Sequence, residues 1–442
     1  MRPDTRYACL LLAGLVAACA SDSKLPLPVD HGLRYSVAQL DGAPANRPLS
    51  VAEIAALAVR NSPDLRATRA QKGVAQAQLL QAGLLPNPNI AGSILPLAAG
   101  VGSTFAWTAG LTTDITALIT LSARRRSAAA SARQVDAQIV WQEWQTIGQA
   151  RLLAVDIMLG RRLEALLQRQ AALLSARADR SAKAVAASNA TLATLAPDVA
   201  ALQNARVAYQ DQARLVLSKR HQLAALLGLQ ADADLPLASE PDLPPLDLAV
   251  AREALPTLAD RRPDLVALRL GYAAQDAKIR AAILSQFPNL VFGVSGGSDN
   301  SNVRNVGPTV QLELPIFNRN QGNIAIERAT RQQLRDEYAA RLAAASGQIQ
   351  ASISEIAQLE QQIARAEKER PATARMARSA ESAFGAGDID ERSYVDLITT
   401  DLAKQAEILT LQQLLFEQEV AIETSLGAGM PLFDLPAEVA RQ

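Results

Sequence analysis

Cysteine and histidine are scarce in this 442-residue chain, which contains two of each. Cys9 lies in a segment that we expect to be removed on export, so the mature chain would keep only Cys19 and could form no internal disulfide. The histidines His31 and His221 are far apart, and neither has a cysteine or carboxylate at the spacing of metal ligands. The four methionines are scattered as well, so the sequence offers no His/Met cluster for selecting metal ions.

Aromatic residues are few, and neither sign of charge is in excess. Aromatics make up 4% of the chain against 49% hydrophobic residues, and Ala, Leu, Gln, Arg and Glu fill long stretches, which is typical of extended helices. Basic and acidic side chains number 44 each, so we expect no nucleic-acid partner. Beyond the N-terminus no apolar run reaches 18 residues, so any membrane crossing would have to use strands. No Walker loop is present, and we expect no enzyme activity and no cofactor.

The N-terminus is predicted to be a signal peptide covering residues 1–18. Arg2 and Arg6 precede a short apolar run that ends in Leu15-Val16-Ala17-Ala18-Cys19, which resembles a bacterial lipobox. In that case the peptide is cut before Cys19, and an N-terminal lipid such as palmitate on Cys19 anchors the chain. The alternative is an ordinary signal peptide with an incidental cysteine. Residues 19–48 are rich in Pro, Asp, Ser and Gly and are predicted to form an irregular tether.

The rest of the chain repeats its landmarks in order. Pro63-Asp64-Leu65 recurs about 200 residues later as Pro263-Asp264-Leu265, and Pro88-Asn89-Ile90 recurs as Pro288-Asn289-Leu290. We therefore predict a two-fold internal repeat, with a first copy over 49–248, a second over 249–428 and a C-terminal tail over 429–442.

Each copy contains a segment with the texture of a strand pair, at about 88–121 and about 288–316. In the second segment Thr309 and Gln311 would share one face while Val310 and Leu312 share the other. This alternation predicts a transmembrane β-barrel, although a soluble antiparallel sheet with one wet face would show it too. Four strands are too few to close a barrel, whereas a trimer would supply twelve. Gly293, Gly296 and Gly297 are interpreted as strand positions, since no lysine-bearing helix start follows them.

A long helical tract follows each strand pair, from Ala123 to about Ala187 and from Gln321 to about Ala386. Roughly 65 residues at about 1.5 Å each span close to 100 Å, too long for a globular domain. The tracts break at Ser188 and Gly387, after which a second helix returns. We predict antiparallel helix pairs with tip turns at about 187–198 and about 385–397.

This arrangement behind a lipobox resembles the outer-membrane factor family, which includes the TolC channel. Its most specific stretches are Leu314-Pro315-Ile316-Phe317-Asn318-Arg319-Asn320-Gln321-Gly322-Asn323, similar to the lipoprotein branch that serves cobalt-zinc-cadmium type cation efflux, and Ala383-Phe384-Gly385-Ala386-Gly387-Asp388-Ile389-Asp390, similar to the tip turn. The resemblance implies a mainly α protein with four strands per chain, assembled as a homotrimer with a twelve-stranded outer-membrane barrel and a long α-helical periplasmic tunnel. It also implies a passive conduit whose partners are outer-membrane lipids, a periplasmic adaptor (membrane fusion) protein and an inner-membrane RND-type pump.

The resemblance further implies a gate at the tip, where family aspartates six and nine positions beyond the tip glycine form a cation-attracting ring. From Gly387 these positions are Ser393 and Asp396, of which only the second is an aspartate. In the first copy Ser188 replaces the glycine and Thr194 stands at position six. A further group of charges could pair between neighbouring helices to close the tip, or could simply be solvated: Asp388, Asp390, Glu391 and Arg392.

Three functions remain open from the sequence. The first is the export channel of a metal-cation pump, and the second is the same channel serving organic toxins or drugs. The third is a periplasmic lipoprotein that forms a structural coiled coil without a pore, for which the two strand pairs would have no use.

Overall fold

A computed structural model describes residues 24–44, 47–102 and 104–427. The predicted signal peptide, the predicted lipidation site Cys19 and the predicted tail at 429–442 lie outside the described residues.

The described ranges contain nine α-helices and four strands, with two short 3-10 helices at Val37–Gln39 and Leu255–Thr257. In chain order the elements are α1 (Val51–Asn61), α2 (Pro63–Ala82), β1 (Asn89–Leu95), β2 (Ala106–Asp114), α3 (Ile115–Ala186), α4 (Leu192–Leu227), α5 (Leu248–Ala254), α6 (Leu258–Arg261), α7 (Pro263–Leu284), β3 (Leu290–Ser298), β4 (Arg304–Leu312), α8 (Gln321–Ala386) and α9 (Glu391–Leu426).

Side-chain caps explain where several helices begin. The Ser62 hydroxyl accepts a hydrogen bond from the Leu65 N–H at 3.4 Å, and Pro63 occupies the first position of α2. Asp114 accepts from the Ala117 N–H at 3.0 Å, so α3 begins as soon as β2 ends. The predicted strand region at 88–121 is therefore wrong over residues 115–121, where β-branched residues suggested a strand but a capped helix forms. The second region likewise ends earlier than predicted, at Leu312 rather than 316.

The four strands form one antiparallel sheet in the order β1-β2-β3-β4. The register is continuous across the sheet, since Ile90 is opposite Leu111, which is opposite Val294 on its other side. β3 and β4 continue the pattern with Phe292 opposite Val310. Within the described sheet, β1 and β4 each pair on one side, so the sheet has two open edges.

Two long helices determine the shape of the rest of the chain. α3 has 72 residues and α8 has 66, which correspond to about 110 Å and about 100 Å. α4 and α9 have 36 residues each and return antiparallel along them, and each ends at a glycine in the left-handed conformation, Gly228 and Gly427. α9 also packs against α3, which joins the second helical hairpin to the first.

The largest apolar core lies where α1, α3 and α4 meet, about half-way along α3. Its fully buried members include Ile54, Ile157, Leu223 and Leu227. The chain before α1 packs beside this core through a backbone hydrogen bond from Leu49 to Pro236 at 2.7 Å. Among the described helices, none combines the length and the apolar character that a membrane-spanning helix needs.

Candidate functional site

One face of the sheet is apolar and open to its surroundings. We call it the apolar sheet face; its large side chains are Ile90, Ile94, Trp107, Leu111, Phe292, Val294, Val306, Val310 and Leu312. Ile90 is 85% exposed and Val306 is 81% exposed, and the least exposed member, Trp107, is still 39% exposed. An exposed apolar surface of this extent marks a place where lipid or another chain is expected to bind.

The opposite face of the sheet carries mainly small and polar side chains, with Leu95 and Val291 as the larger apolar ones. Ser93 and Thr108 hydrogen-bond across β1 and β2 at 2.8 Å, and Ser295 and Thr309 do so across β3 and β4 at 2.6 Å. Gln311 and Asn305 lie on the same face. The sheet therefore separates an apolar side from a hydrated side, which is the division that an aqueous channel through a membrane requires.

Residues 293–297, Gly-Val-Ser-Gly-Gly, have the G-x-S-x-G spacing of serine hydrolases. That motif needs a sharp strand-to-helix turn to present its serine, whereas here the whole run lies inside β3. Ser295 is moreover hydrogen-bonded to Thr309 across the sheet. The spacing is therefore part of a strand and presents no nucleophile.

The two predicted tip turns have the same backbone geometry. Ser188 has a φ of 59° and Gly387 a φ of 83°, so both residues adopt the left-handed conformation. After Ser188 the Asn189 N–H bonds to the Ala184 carbonyl at 2.8 Å, and after Gly387 the Asp388 N–H bonds to the Ala383 carbonyl at 2.8 Å. Both helices thus end in a Schellman-type turn. A serine is strained in this conformation, while a glycine is not.

A buried ionic network lies next to these turns. The Asp198 carboxylate on α4 is fully buried and contacts Arg177 of α3, with Nε 3.1 Å from Oδ1, and Arg392 of α9, with Nη2 2.7 Å from Oδ2. Ser181 donates a further hydrogen bond to Asp198 at 2.5 Å. Arg177 also forms an ion pair with Asp396 of α9. We call Arg177, Asp198, Arg392 and Asp396 the tip cluster; it ties α9 to the hairpin of α3 and α4.

The structure places the predicted tip residues in different roles. Asp396 and Arg392 belong to the tip cluster, and the Asp396 side chain remains 60% exposed. Asp390 caps α9 by accepting from the Ser393 N–H at 2.8 Å, and its hydrogen bonds to Ser393 lower the pKa of the carboxyl. Thr194 contacts the tip cluster through its backbone carbonyl, which accepts a hydrogen bond from Arg392 at 3.0 Å. Asp388 is exposed beside the turn.

Two further contacts connect the tips. Glu391, predicted as a pairing charge, lies 2.6 Å from Arg180 of α3. Phe384 and Tyr394 stack with ring centroids 4.7 Å apart, across the turn that joins α8 and α9. Arg177 and Asp198 were missed by the sequence reasoning, because neither stands at a fixed offset from a turn. The local signal beside Asp198 is Pro197, a proline within the first turns of α4 that directly precedes it.

The stretch at residues 314–323, which we call the junction and which carries part of the family resemblance, forms a turn rich in asparagine before α8. Asn320 has a φ of 58°, and its side-chain amide donates to the Ala282 carbonyl of α7 at 2.8 Å. Asn318 accepts from the Asn320 N–H at 3.0 Å, and Asn323 donates to the Asn320 side chain at 2.6 Å. This turn determines where the chain leaves β4 and enters α8. Phe317 beside the turn is 92% exposed.

No group of three or more His, Cys, Asp or Glu side chains that could hold a metal ion occurs in the described ranges. Nothing in the described geometry therefore provides an internal metal-binding cage.

Residues 254–428 match the family model described as outer membrane efflux protein. No curated protein matches the chain. Three solved structures each match 93% of this chain. A membrane protein from Pseudomonas aeruginosa is 18% identical, matched over 98% of its own chain with a TM-score of 0.70. The Campylobacter jejuni CmeC outer membrane channel is 14% identical (95% of its chain, TM-score 0.69), and the open state of the Neisseria gonorrhoeae MtrE outer membrane channel is 18% identical (98% of its chain, TM-score 0.65). The chain thus has the fold of outer-membrane channels, and its second half matches the outer membrane efflux protein family.

Proposed function

We propose that this protein is the outer-membrane channel component of a tripartite efflux system. It would act as a passive gated conduit for substrates that an inner-membrane RND-type pump delivers with a periplasmic adaptor. The observation that carries the proposal is the single open sheet with one apolar and one polar face, attached to helices of about 100 Å.

The sheet is the part that would lie in the outer membrane. Its two open edges would pair with the edges of neighbouring copies, which removes exposed backbone groups that lipid cannot hydrogen-bond. Three copies give a closed barrel of twelve strands, with the apolar sheet face toward lipid and the face of Ser93 and Thr309 toward water. A non-pore structural lipoprotein is disfavoured, since a coiled coil offers nothing to cover that apolar face.

The helical hairpins would form the periplasmic tunnel, and the tip cluster would hold its narrow end closed. Separating α9 from α3 and α4 breaks the contacts of Arg392 with Asp198 and of Arg177 with Asp396. Asp198, which is fully buried, would lose Arg392 and keep only Arg177 and Ser181, and this cost would keep the closed arrangement in place until an adaptor engages the tips. Asp396 shares Arg177 with Asp198 and its side chain is 60% exposed, so its carboxylate would also be accessible to cations at the entrance.

Metal cations are the substrate that we favour, on the strength of the junction at residues 314–323 and of Asp396. Organic drugs or toxins are the alternative, and the same conduit would carry them. Cys19 lies outside the described residues, and the lipid on it would anchor the tunnel assembly to the membrane. Cys19→Ser is expected to abolish metabolic palmitate labelling without preventing trimer assembly, because the sheet supplies the membrane contact.

The test is reconstitution of the mature native chain into planar bilayers, after cross-linking has verified a trimer. We expect the trimer to insert and conduct weakly, and divalent cations added from the tip side to block it. Block should weaken in Asp396→Ala and persist in Asp388→Ala, the matched change on the exposed turn. Equal block by organic cations would favour the drug channel. Folded protein that neither trimerises nor inserts would overturn the channel and favour the structural lipoprotein.

A further inference from the structure

A second group of charged side chains lies inside the helical body, far from the tips. Asp156 of α3 is 3% exposed, within the main apolar core between Val155 and Ile157. The Lys219 ammonium of α4 lies 2.7 Å from Asp156 Oδ2. Gln413 of α9 donates to Asp156 Oδ1 at 3.1 Å. Three helices from both hairpins therefore meet at one buried carboxylate.

Gln413 connects this carboxylate to another one. The same Gln413 amide nitrogen also donates to Glu417 Oε1, one turn further along α9, at 3.0 Å. The site then contains two carboxyl groups and one ammonium. With both carboxyls ionised it would carry a net charge of −1 in apolar surroundings, whereas one added proton makes it neutral. Burial, reinforced by the neighbouring Asp156, raises the pKa of Glu417 to about 7.

The other charged groups on the packed elements are engaged elsewhere or act on other partners. On α1, Glu53 pairs with Arg47. On α3, Arg151 pairs with Glu423 of α9 at 2.8 Å, and Arg162 lies 3.2 Å from Glu240. Charged groups on other turns of α3, α4, α8 and α9 act on one another, since Arg220 acts on Arg161 and Glu360 acts on Glu419. Asp156 and Lys219 are the charged groups that act electrostatically on Glu417.

We propose that Asp156, Glu417 and Lys219 form a proton-binding site that couples the packing of α9 against the first hairpin to pH. One proton shared between Glu417 and Asp156 keeps the site neutral and α9 seated. Loss of that proton places two negative charges, one of them on the buried Asp156, against one positive charge, and α9 loosens from α3 and α4. Glu417 lies 26 residues beyond the start of α9, about 39 Å from the tip, so this site is separate from the tip cluster.

The direction of the pH effect follows from the raised pKa. A carboxyl whose pKa is higher in the packed state than its ordinary value of 4.5 binds a proton preferentially in that state. The stabilisation is fully present below pH 4.5 and is lost as the pH rises toward and through about 7. The channel consequence, easier opening at alkaline pH, rests on the proposed function, whereas the proton site itself does not.

The experiment uses native full-length trimers in nanodiscs, with hydrogen exchange of α9 followed at pH 5.5 and pH 8.0 after correction for the intrinsic rate. We expect protection around residues 405–420 to fall about 30-fold at pH 8.0, because about 1.5 pH units separate pH 5.5 from the pKa of about 7. Glu417→Gln stays neutral and should keep its protection at both pH values. Glu407→Gln, an exposed position on the same helix paired with Lys404, should behave as the native chain does.

Asp156→Asn provides a second variant, because it removes the neighbouring charge and should also flatten the pH dependence. An unchanged pH dependence in both variants would overturn the proton site. Conductance recorded in parallel separates the two proposals. Trimers that never conduct but show the expected exchange pattern would contradict the channel and support the proton site. Conducting trimers whose native hydrogen exchange does not depend on pH would support the channel and contradict the proton site.

Discussion

Asp198 of α4 and Arg392 of α9 form an ion pair of 2.7 Å, although 194 residues separate them in the sequence. The carboxylate is fully buried, and Arg177 approaches it from α3 on the other side. One residue of the first hairpin thus joins both hairpins close to their tips. Because the carboxylate has no solvent to replace a lost partner, this pair resists separation of the hairpins more than an exposed ion pair would.

Removing the charge of Asp198 is therefore expected to loosen the tip. Asp198→Asn keeps the shape but leaves Arg177 buried with Asp396 alone, which should destabilise the packing of α9 against α3 and α4 at the tip by about 3 kcal/mol. Single-channel conductance should rise, and hydrogen exchange of α9 amides near residue 395 should accelerate. Asp388→Asn on the exposed turn is the matched control and should change neither. A conductance unchanged by Asp198→Asn would show that the tip is held closed elsewhere.

The left-handed turns at Ser188 and Gly387 predict that introducing a glycine stabilises a turn and introducing an alanine destabilises it. Ser188→Gly removes the left-handed strain of about 1 kcal/mol, partly offset by the greater freedom of glycine in the unfolded chain, so we expect a net stabilisation of about 0.5 kcal/mol. Gly387→Ala introduces that strain and should destabilise its turn by about 1 kcal/mol. The measurement is hydrogen exchange of the amides that follow each turn.

Gly385→Ala is the control for the second turn. Gly385 lies inside the last turn of α8, and an added Cβ would meet no atom within 4 Å. Alanine there should stabilise the helix by as much as about 1 kcal/mol. If Gly385→Ala and Gly387→Ala change exchange in the same direction, backbone conformation is not the cause.

The sequence predicted the elements better than the contacts between them. Strand alternation at residues 309–312 and the turns at Ser188 and Gly387 are local patterns, and each appears where it was expected. The start of α3 at Ile115 was missed, because the β-branched residues Ile115, Thr116, Ile119 and Thr120 favour a strand, although Asp114 caps a helix there. The tip cluster and the Asp156 site combine residues from three helices, and no local spacing reveals which helices will touch.

The two faces of the sheet predict opposite responses to a new charge. Val310→Arg places a cation on the apolar sheet face, where the bilayer would penalise it by about 2 to 4 kcal/mol, so the yield of trimers in the outer membrane should fall. Gln311→Arg, one residue along the same strand, points to the polar face and should assemble normally while altering ion selectivity. The measurement is the heat-resistant trimer band in membrane fractions. Equal assembly of both variants would contradict a lipid-facing role for Val310.

Close approach of backbones at two glycines predicts a steric requirement in β3. A Cβ added at Gly293 would lie 2.2 Å from the Leu111 carbonyl oxygen, and one added at Gly297 would lie 2.4 Å from that of Trp107. Real Cβ atoms do not approach backbone oxygens this closely, and β2 cannot withdraw without losing its hydrogen bonds to β3.

Gly293→Ala and Gly297→Ala are therefore each expected to destabilise the sheet by more than about 3 kcal/mol, the upper part of the usual range for overpacking. Since every copy in a trimer carries the change, the yield of assembled trimers should drop sharply. Gly307→Ala in β4 is the matched control, because an added Cβ there meets no atom within 4 Å. Trimer yield after refolding into detergent, followed by thermal dissociation on a gel, measures all three variants. Normal assembly of Gly293→Ala would mean that β2 and β3 lie further apart than in this structure, and the pairing of Leu111 with Val294 across them would have to shift with it.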